Sequence, residues 1–523
     1  MLNLRVPRLH DTSVSAMTQR GTRGIVQGAP GPANDLSANA SNLAWNLAGA
    51  IVPALAALLA MPLTIRLLGN ERFGLLTLCG LILAYFALFD FGLTRALTRF
   101  ASERIGSDRL DEVPSLFAES KAMMLRLSIV GAILATVISP FIVADWLQVP
   151  ETLRTEALAS FWISAASLPV LIATGWWRAM LEANGRFDLV NRLHIPIATL
   201  TAVAPALVLP ICNSLVAVTT LLLGIRICAW AVFRQLTVAE IPSLVGPASG
   251  RHPSRRALFQ FGGWVTVSNL LGPLMVYLDR FLIGGAVSLA AIAYYTIAYE
   301  LVTRAWLLVG AVIGVILPSM SATLAKSVDD SRTIYSSAII SVFSLTLAPL
   351  ALISLFASEV LELWLNREFA ANAATVLRVL AAGVLVNCAA QVSLTVIHAA
   401  GRADWVAKVH LAEIGPYLLA LWWCVNTWGI NGVAIAWAAR VMIDALLMAM
   451  LANKVLKLPT HRNVIAIFGL MLLGAGIGAI GLLESIAIRA VTLLGLCFAC
   501  AAVALSVIRL VRHCDRDSRF EVQ

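Results

Sequence analysis

Long apolar runs, each close to twenty residues and following one another with little between them, limit this chain more than any other feature. They recur from Asn42 to Val511. A hydrocarbon core about 30 Å thick is spanned by a helix of roughly 20 mainly apolar residues. Helices of that length in soluble proteins keep a polar face, and these runs keep none. The charge supply agrees. Only 13% of the 523 residues are charged, against about 25% in a soluble globular chain.

The expectation is an all-α polytopic membrane protein of about fourteen transmembrane helices, with twelve to fourteen as the defensible range. The spans fall at 43–68, 74–97, 122–146, 157–182, 193–212 and 214–238, then at 259–284, 288–317, 335–357, 375–399, 409–428 and 430–453. Two more follow at 463–482 and 486–510.

Lys and Arg set the orientation, because cytoplasmic loops carry them in excess. One alternate set of segments holds nearly all of them, from Arg5, Arg8, Arg20 and Arg23 through Arg99, Arg104, Arg186, Arg255, Lys326, Arg402 and Lys454 to Arg512. The opposite loops carry Arg72, Arg154 and Arg367 beside Glu71, Glu151, Glu359, Glu362 and Glu368. Both termini are therefore expected in the cytoplasm of a bacterial cell, with the protein in its inner membrane. The first 40 residues have no apolar core of a signal peptide and read as a cytoplasmic tail, or as an over-long start with Met17 as initiator. The net charge of +9 follows the same asymmetry. Cys497 and Cys500 lie in the last apolar run, where packing of small residues is the simpler reading than metal or redox chemistry.

The chain has no Gly-Lys-Ser or Gly-Lys-Thr, so no phosphate-cradling loop and no direct ATP drive, and no HExxH. Its outer loops, near 147–156 and 358–374, are short, and Glu151, Glu156, Glu359, Glu362 and Glu368 read as solvated loop charges. An enzyme is not expected, nor are cofactors, metals or nucleic-acid partners. Transport is.

A repeat supports this. After the fourth span the chain reads Gly185-Arg186-Phe187-Asp188; after the tenth, Gly401-Arg402-Ala403-Asp404. Gly69 follows Arg66-Leu-Leu, and Gly284-Gly285 follows Arg280-Phe-Leu-Ile. A period of six spans gives two halves of one orientation, an arrangement known in transporters with the substrate site between the halves. The expected division is a tail at 1–41, a six-helix lobe at 42–239, a cytoplasmic linker at 240–258, a second six-helix lobe at 259–455, two additional helices at 456–511 and a tail at 512–523.

The chain resembles polysaccharide biosynthesis proteins of the O-antigen flippase type, within the multidrug/oligosaccharidyl-lipid/polysaccharide exporters. The residues that carry the likeness are Pro62-x-x-x-Arg66-x-x-Gly69, Glu71-Arg72-Phe73-Gly74, Phe89-Asp90-Phe91-Gly92-Leu93, the Gly185-Arg186 turn, Asp279-Arg280 and Tyr294-Tyr295. The resemblance covers roughly 42–455 and leaves the last two spans outside. It implies two six-helix lobes forming a V that flip an undecaprenyl-diphosphate-linked oligosaccharide by alternating access, with proton coupling. Membrane lipids, a polysaccharide polymerase and a chain-length regulator are the partners it implies.

Charges inside spans are costly and face cavities or partners. They gather at Arg66, Asp90, Arg95, Asp279, Arg280, Glu300 and Arg304. Arg66 and the Asp279-Arg280 pair lie near helix ends, where snorkelling is an equal explanation. Glu300 and Arg304 sit at i,i+4 on one face: Arg304 meets phosphate and Glu300 holds it or relays a proton, or the two form a structural pair. Arg440 and Asp444 have the same spacing and read as structural. Tyr295, with Tyr294 and Tyr299, is a candidate sugar contact. Arg378, His410 and Glu413 are expected toward the cytoplasmic side, where they could shape sugar entry. Trp176, Trp177, Trp364, Trp422 and Trp423 read as an interfacial belt. Pro62 and Pro273 occupy similar places in the two halves, each favouring a kink, and are candidate gates. Two rivals remain: a cation-coupled multidrug and toxin extruder, whose cavity would favour acids and aromatics, and a membrane-embedded polysaccharide polymerase, opposed by the short outer loops.

Overall fold

The computed structural model describes residues 36–87, 92–147, 149–245, 275, 277–324 and 326–502. Among them every regular element is a helix. The first group is α1 (Leu36–Leu68), α2 (Asn70–Ala87), α3 (Leu93–Gly106), α4 (Val113–Phe141), α5 (Glu151–Ala183), α6 (Phe187–Val208) and α7 (Leu215–Glu240). After α8 (277–286) come α9 (Leu289–Thr303), α10 (Ala305–Leu324), α11 (Val328–Leu355), α12 (Ala357–Trp364), α13 (Arg367–Ala399), α14 (Ala403–Leu456) and α15 (Thr460–Ile480). The last is α16 (Ile486–Ala502). Eight of these stretches are long and apolar enough to cross a membrane, with α9 and α10 counted as one. The protein is an all-α, multi-pass membrane protein.

The helix starts follow local chemistry. A helix leaves its first N–H groups unpaired, and a side-chain oxygen at the N-cap can accept from one of them. Ser214, Ser288, Ser327 and Asn366 do so for α7, α9, α11 and α13. The Gly-Arg-x-Asp segments build the same turn twice. Gly185 and Gly401 have φ of 75° and 71°, and the following N–H groups close onto the preceding helix: Arg186 to Leu181 at 2.9 Å, Arg402 to Ile397 at 3.1 Å. Each arginine then turns back on its aspartate, Nε to Oδ1, at 3.1 Å for Arg186–Asp188 and 3.0 Å for Arg402–Asp404. The Arg186 guanidinium pulls the Asp188 carboxyl below its ordinary value.

The 54-residue α14 is broken at Gly429, which has φ 56° and ψ −138°. Two observations show that the chain reverses there. Arg440 pairs with Glu413 and Asp444 with His410, residues that a straight helix would hold about 40–50 Å apart. A Cβ at Gly432 would also collide with the Cys424 carbonyl oxygen. The element is therefore an antiparallel helix pair, with its break between the spans expected at 409–428 and 430–453.

The chain divides into two compact units. The first comprises residues up to Ala56, Cys79–Pro140 and Thr155–Leu270. Its core joins Leu93, Leu97, Leu116, Phe117, Met124, Trp176, Trp177, Met180 and Phe233. Trp176 and Trp177 are thus core residues and not a membrane-interface belt; Trp177 packs on Phe117 with ring centroids 4.9 Å apart. Trp422 and Trp423 of the other unit are exposed, as a belt requires.

The second unit comprises Ala57–Leu78, Phe141–Arg154 and everything from Leu271. Helix α13 runs through its centre, buried along nearly its whole length. Small residues let neighbours approach closely, which is how helices gain packing energy in lipid. A Cβ at Gly383 would lie 2.8 Å from the Trp437 ring, and one at Gly474 of α15 would lie 3.1 Å from Ala382. Helix α16 is tied to the unit by Arg489, which is buried, pairs with Glu359 at 2.6 Å and donates to the Leu355 carbonyl at 3.1 Å.

Candidate functional site

Three of the expected site residues meet inside the second unit. Asp279 and Arg280 of α8 are 0% and 2% exposed. Arg280 Nη1 donates to Asp279 Oδ1 at 2.7 Å, and the Arg280 backbone N–H donates to the same oxygen at 2.7 Å. The guanidinium carbon lies 4.3 Å from the Tyr299 ring centroid, 5.3 Å from Tyr295 and 5.7 Å from Tyr277. Tyr299 in turn meets Trp437 edge-on at 5.5 Å. A cation over aromatic faces is held by the ring quadrupoles, most strongly where water is excluded. Sequestering an ion pair costs several kcal/mol per ion before any attraction is counted. A buried Asp-Arg pair in an aromatic cage is therefore a costly arrangement, and costly charges inside membrane spans concentrate at functional places. The pair is enclosed, so the snorkelling explanation for Asp279 and Arg280 is set aside by their burial.

The other candidates lie elsewhere. Arg304 occupies the short break between α9 and α10 and donates from Nη2 to Glu300 Oε2 at 2.5 Å. Both side chains are about one-third exposed, at 32% and 38%. Arg66, near the end of α1, is exposed, and Pro62 is partly buried. Asp90 and Pro273 lie outside the described residues.

Several polar residues have roles that differ from those expected of them. The Arg440–Asp444 pair does not form; Arg440 Nε lies 3.5 Å from Glu413 Oε2 and His410 Nε2 lies 3.3 Å from Asp444 Oδ1, across the reversal in α14. Arg378 does not join the His410–Glu413 group. It sits in the first half of α13, where Nη2 donates to Ser358 Oγ at 3.1 Å. Three of the acids read as solvated loop charges also have protein partners. Glu156 accepts from the Leu215 N–H at 2.6 Å and from Ser214 Oγ at 3.2 Å, capping α7. Glu359 binds Arg489, whose charge holds its carboxyl below the ordinary value against the opposing effect of burial. Glu368 accepts from Asn70 Nδ2 at 2.7 Å and from the Tyr294 hydroxyl at 2.5 Å. That last group borders an open cavity of about 450 Å³ lined by Gly69, Asn70, Glu71, Arg72, Ala290 and Glu368.

One intramembrane charge went unnoticed in the sequence. Arg226 lies near the middle of α7, in the run Leu221-Leu-Leu-Gly-Ile-Arg226-Ile. Its Nη1 donates to Ser167 Oγ of α5 at 3.3 Å, and it makes no ion pair among the described residues. A single arginine in an apolar run was signal enough to find it.

Apolar helices with charges buried among them define a polytopic all-α membrane protein. Residues 40–324 match the family described as polysaccharide biosynthesis protein, and the chain belongs to that family. It is similar to a putative O-antigen transporter of Shigella flexneri, 29% identical over 416 residues, which cover 79% of this chain and 97% of the relative. Its fold is that of transporters of the MOP superfamily. An inward-facing multidrug resistance MATE family transporter matches with a TM-score of 0.59 at 16% identity, over 82% of this chain and 95% of the other. A Vibrio cholerae MATE transporter matches with a TM-score of 0.57 at 16% identity, over 84% and 98%.

Proposed function

We propose that this transporter moves an undecaprenyl-diphosphate-linked oligosaccharide across the bacterial inner membrane, for O-antigen, capsule or exopolysaccharide synthesis. The observation that carries the reading is the likeness to the putative O-antigen transporter, which extends over 97% of that protein. The charge inside the spans supports it. Arg304, about one-third exposed at the break between α9 and α10, is within reach of an anionic diphosphate, and arginine's fork suits phosphate oxygens. In this reading two six-helix lobes form a V, with two added C-terminal helices, and both termini lie in the cytoplasm. On the same reading Arg66, Asp90, Glu300 and Arg304 line the path of the head group, and bending at Pro62 and Pro273 opens it and brings the enclosed Asp279, Arg280 and Tyr295 to the cargo. The chain works by alternating access and uses a proton gradient, whose electrical part supplies about 2.3 kcal/mol per charge per 100 mV.

A second reading has its own support. The solved structures of the same fold are described as multidrug resistance and MATE transporters, which favours cation-coupled drug extrusion. One genetic experiment separates the two. The gene is expressed in a host lacking its own O-antigen transporter, and surface polysaccharide and drug susceptibility are both measured. Restored polysaccharide with unchanged susceptibility is expected; raised resistance to cationic drugs without polysaccharide would favour the second reading.

A further inference from the structure

The reversal of α14 encloses four titratable side chains that the preceding site does not use. His410 and Glu413 come from the arm before Gly429, Arg440 and Asp444 from the arm after it. Glu413 and Asp444 are 9% and 8% exposed. Arg440 Nε lies 3.5 Å from Glu413 Oε2, and His410 Nε2 lies 3.3 Å from Asp444 Oδ1. These contacts are loose. Among the described residues no hydrogen bond reaches either oxygen of Glu413 or Oδ1 of Asp444, although all three atoms are buried.

Two defects follow. With both carboxylates ionised and His410 neutral, two negative charges face one fixed cation, Arg440. An excess charge away from water is costly, and so are buried acceptors left without donors. Neighbouring elements do not mend this. Glu413 is faced by Asp444, Arg440 and His410, and His398 of α13 faces His410. The Asp279–Arg280 pair, which lies beyond Tyr417, is neutral by itself. Among the described residues no other Lys or Arg pairs with either carboxylate. A single proton removes both defects: it cancels the excess charge and, on a carboxyl or on His410, it is the missing donor. A water molecule mends only the second, and a metal ion is opposed by the Arg440 guanidinium.

The proton has a way in, because the His410 side chain is 25% exposed. It also has a mechanical effect. Bound, it leaves two ion pairs between the arms of α14; lost, it leaves one pair and an unbalanced carboxylate. The second arm sets Trp437 against Tyr299 of the Arg280 cage, so the clasp between the arms bears on that cage.

We propose that His410, Glu413, Arg440 and Asp444 form the binding site of the coupling proton, which the cluster shares and releases when the arms of α14 part. The proposal rests on the reading of a proton gradient as the drive.

The test compares full-length wild type with Glu413→Gln and Asp444→Asn. Either amide removes one carboxylate, so Arg440 balances the other with no proton needed. The first readout is thermal unfolding in detergent between about pH 6 and about pH 8.5, the range in which an imidazole ordinarily gives up its proton. The bound proton favours the folded state, so its stabilisation is present at the lower pH and lost as pH rises. Wild type should melt several degrees lower at the upper end, and each amide should lose most of that shift. The second readout is movement of a fluorescent prenyl-diphosphate-linked oligosaccharide in proteoliposomes. An imposed proton gradient should speed it several-fold in wild type and in neither amide. If either folded amide keeps the wild-type shift in melting, no proton is shared across the cluster, and the site fails while the gradient reading survives. Aggregation of both amides would make the carboxylates structural and overturn the site. If the amides lose the shift in melting but still respond to the gradient, the proton bound here is not the coupling one and the proposal is wrong. If wild type does not respond to the gradient, the reading of the drive falls and the coupling role falls with it, whatever the melting shows.

Discussion

At the scale of single residues, the structure separates charges that hold the fold from charges available for work. Arg489 belongs to the first kind. Its side chain is 6% exposed, and its partner Glu359 is 43% exposed. Removing one partner of a buried pair strands the other, at about 3–5 kcal/mol when both are enclosed. The half-exposed carboxylate discounts that figure, and Glu359→Ala is expected to cost about 2 kcal/mol. Arg489→Met removes the buried charge and retains apolar volume, so it should be the milder change. Thermal unfolding of the two variants in detergent checks the order; a greater loss with Arg489→Met would contradict it. The pH dependence has a defined sign. Glu359 and Asp188 have carboxyls held below their ordinary values of 4.5 and 3.8. Their contribution is complete above those values and disappears as pH falls through the lower folded ones. The part of the stability that these two pairs supply should therefore be lost only on the acid side of the ordinary carboxylate range, and its loss near neutrality would speak against them.

Arg304 is the best case of the second kind. It shares its charge with Glu300, yet both remain about one-third exposed, so water screens the pair and its structural worth is about 1 kcal/mol or less. Arg304→Ala should leave abundance in the membrane near normal and abolish polysaccharide export. Arg304→Lys should impair export, since a point charge replaces a two-pronged donor. The double change Glu300→Gln with Arg304→Gln should not restore it. Export recovered by that double variant would reduce the pair to a structural one.

At the scale of elements, glycines act for two different reasons. Gly401 sits in the left-handed region with open space where a Cβ would stand. An L-residue there costs about 1–2 kcal/mol, all of it backbone strain. Gly432 has no such strain, but an added Cβ would meet the Cys424 carbonyl at the reversal of α14. Backbone cannot move aside as a side chain can, so Gly432→Ala should be the more damaging of the two. Gly432→Ala should lower the yield of monodisperse protein in size-exclusion chromatography, and Gly401→Ala should shift the melting temperature by a few degrees. The reverse order would show that the reversal is looser than its geometry.

The same elements show what the sequence made legible. The apolar runs announced their helices because lipid demands length and allows no polar face. Gly-Arg-x-Asp announced its turns because the glycine φ and the Arg-Asp clasp are both local. Pairings across helices were not legible. Arg440 and Asp444 have the spacing of a helical pair, but the reversal at Gly429 brings Glu413 and His410 to them instead. Trp176 and Trp177 read as interfacial because an apolar aromatic near a span end looks the same whether it meets headgroups or Phe117. Glu156, Glu359 and Glu368 read as solvated because a helix N-terminus, an arginine and a tyrosine reach them from distant parts of the chain. Asp279 and Arg280 were visible as charges, but the cage of Tyr295 and Tyr299 needed the fold.

At the scale of the whole molecule, a chain of the polysaccharide biosynthesis family has the fold of MOP-superfamily transporters and carries arginines inside its spans. In the proposed function an ion gradient is the drive, and arginines inside the spans suit a cargo that brings its own negative charge. Translocation in proteoliposomes tests this most directly. The purified chain is reconstituted alone with a fluorescent prenyl-diphosphate-linked oligosaccharide, and access of an external lectin to the glycan is followed with and without a proton gradient. The account predicts movement across the bilayer that is faster with the gradient and unchanged by ATP. A protein that leaves the glycan lipid in place while exchanging protons for a cationic drug would contradict it.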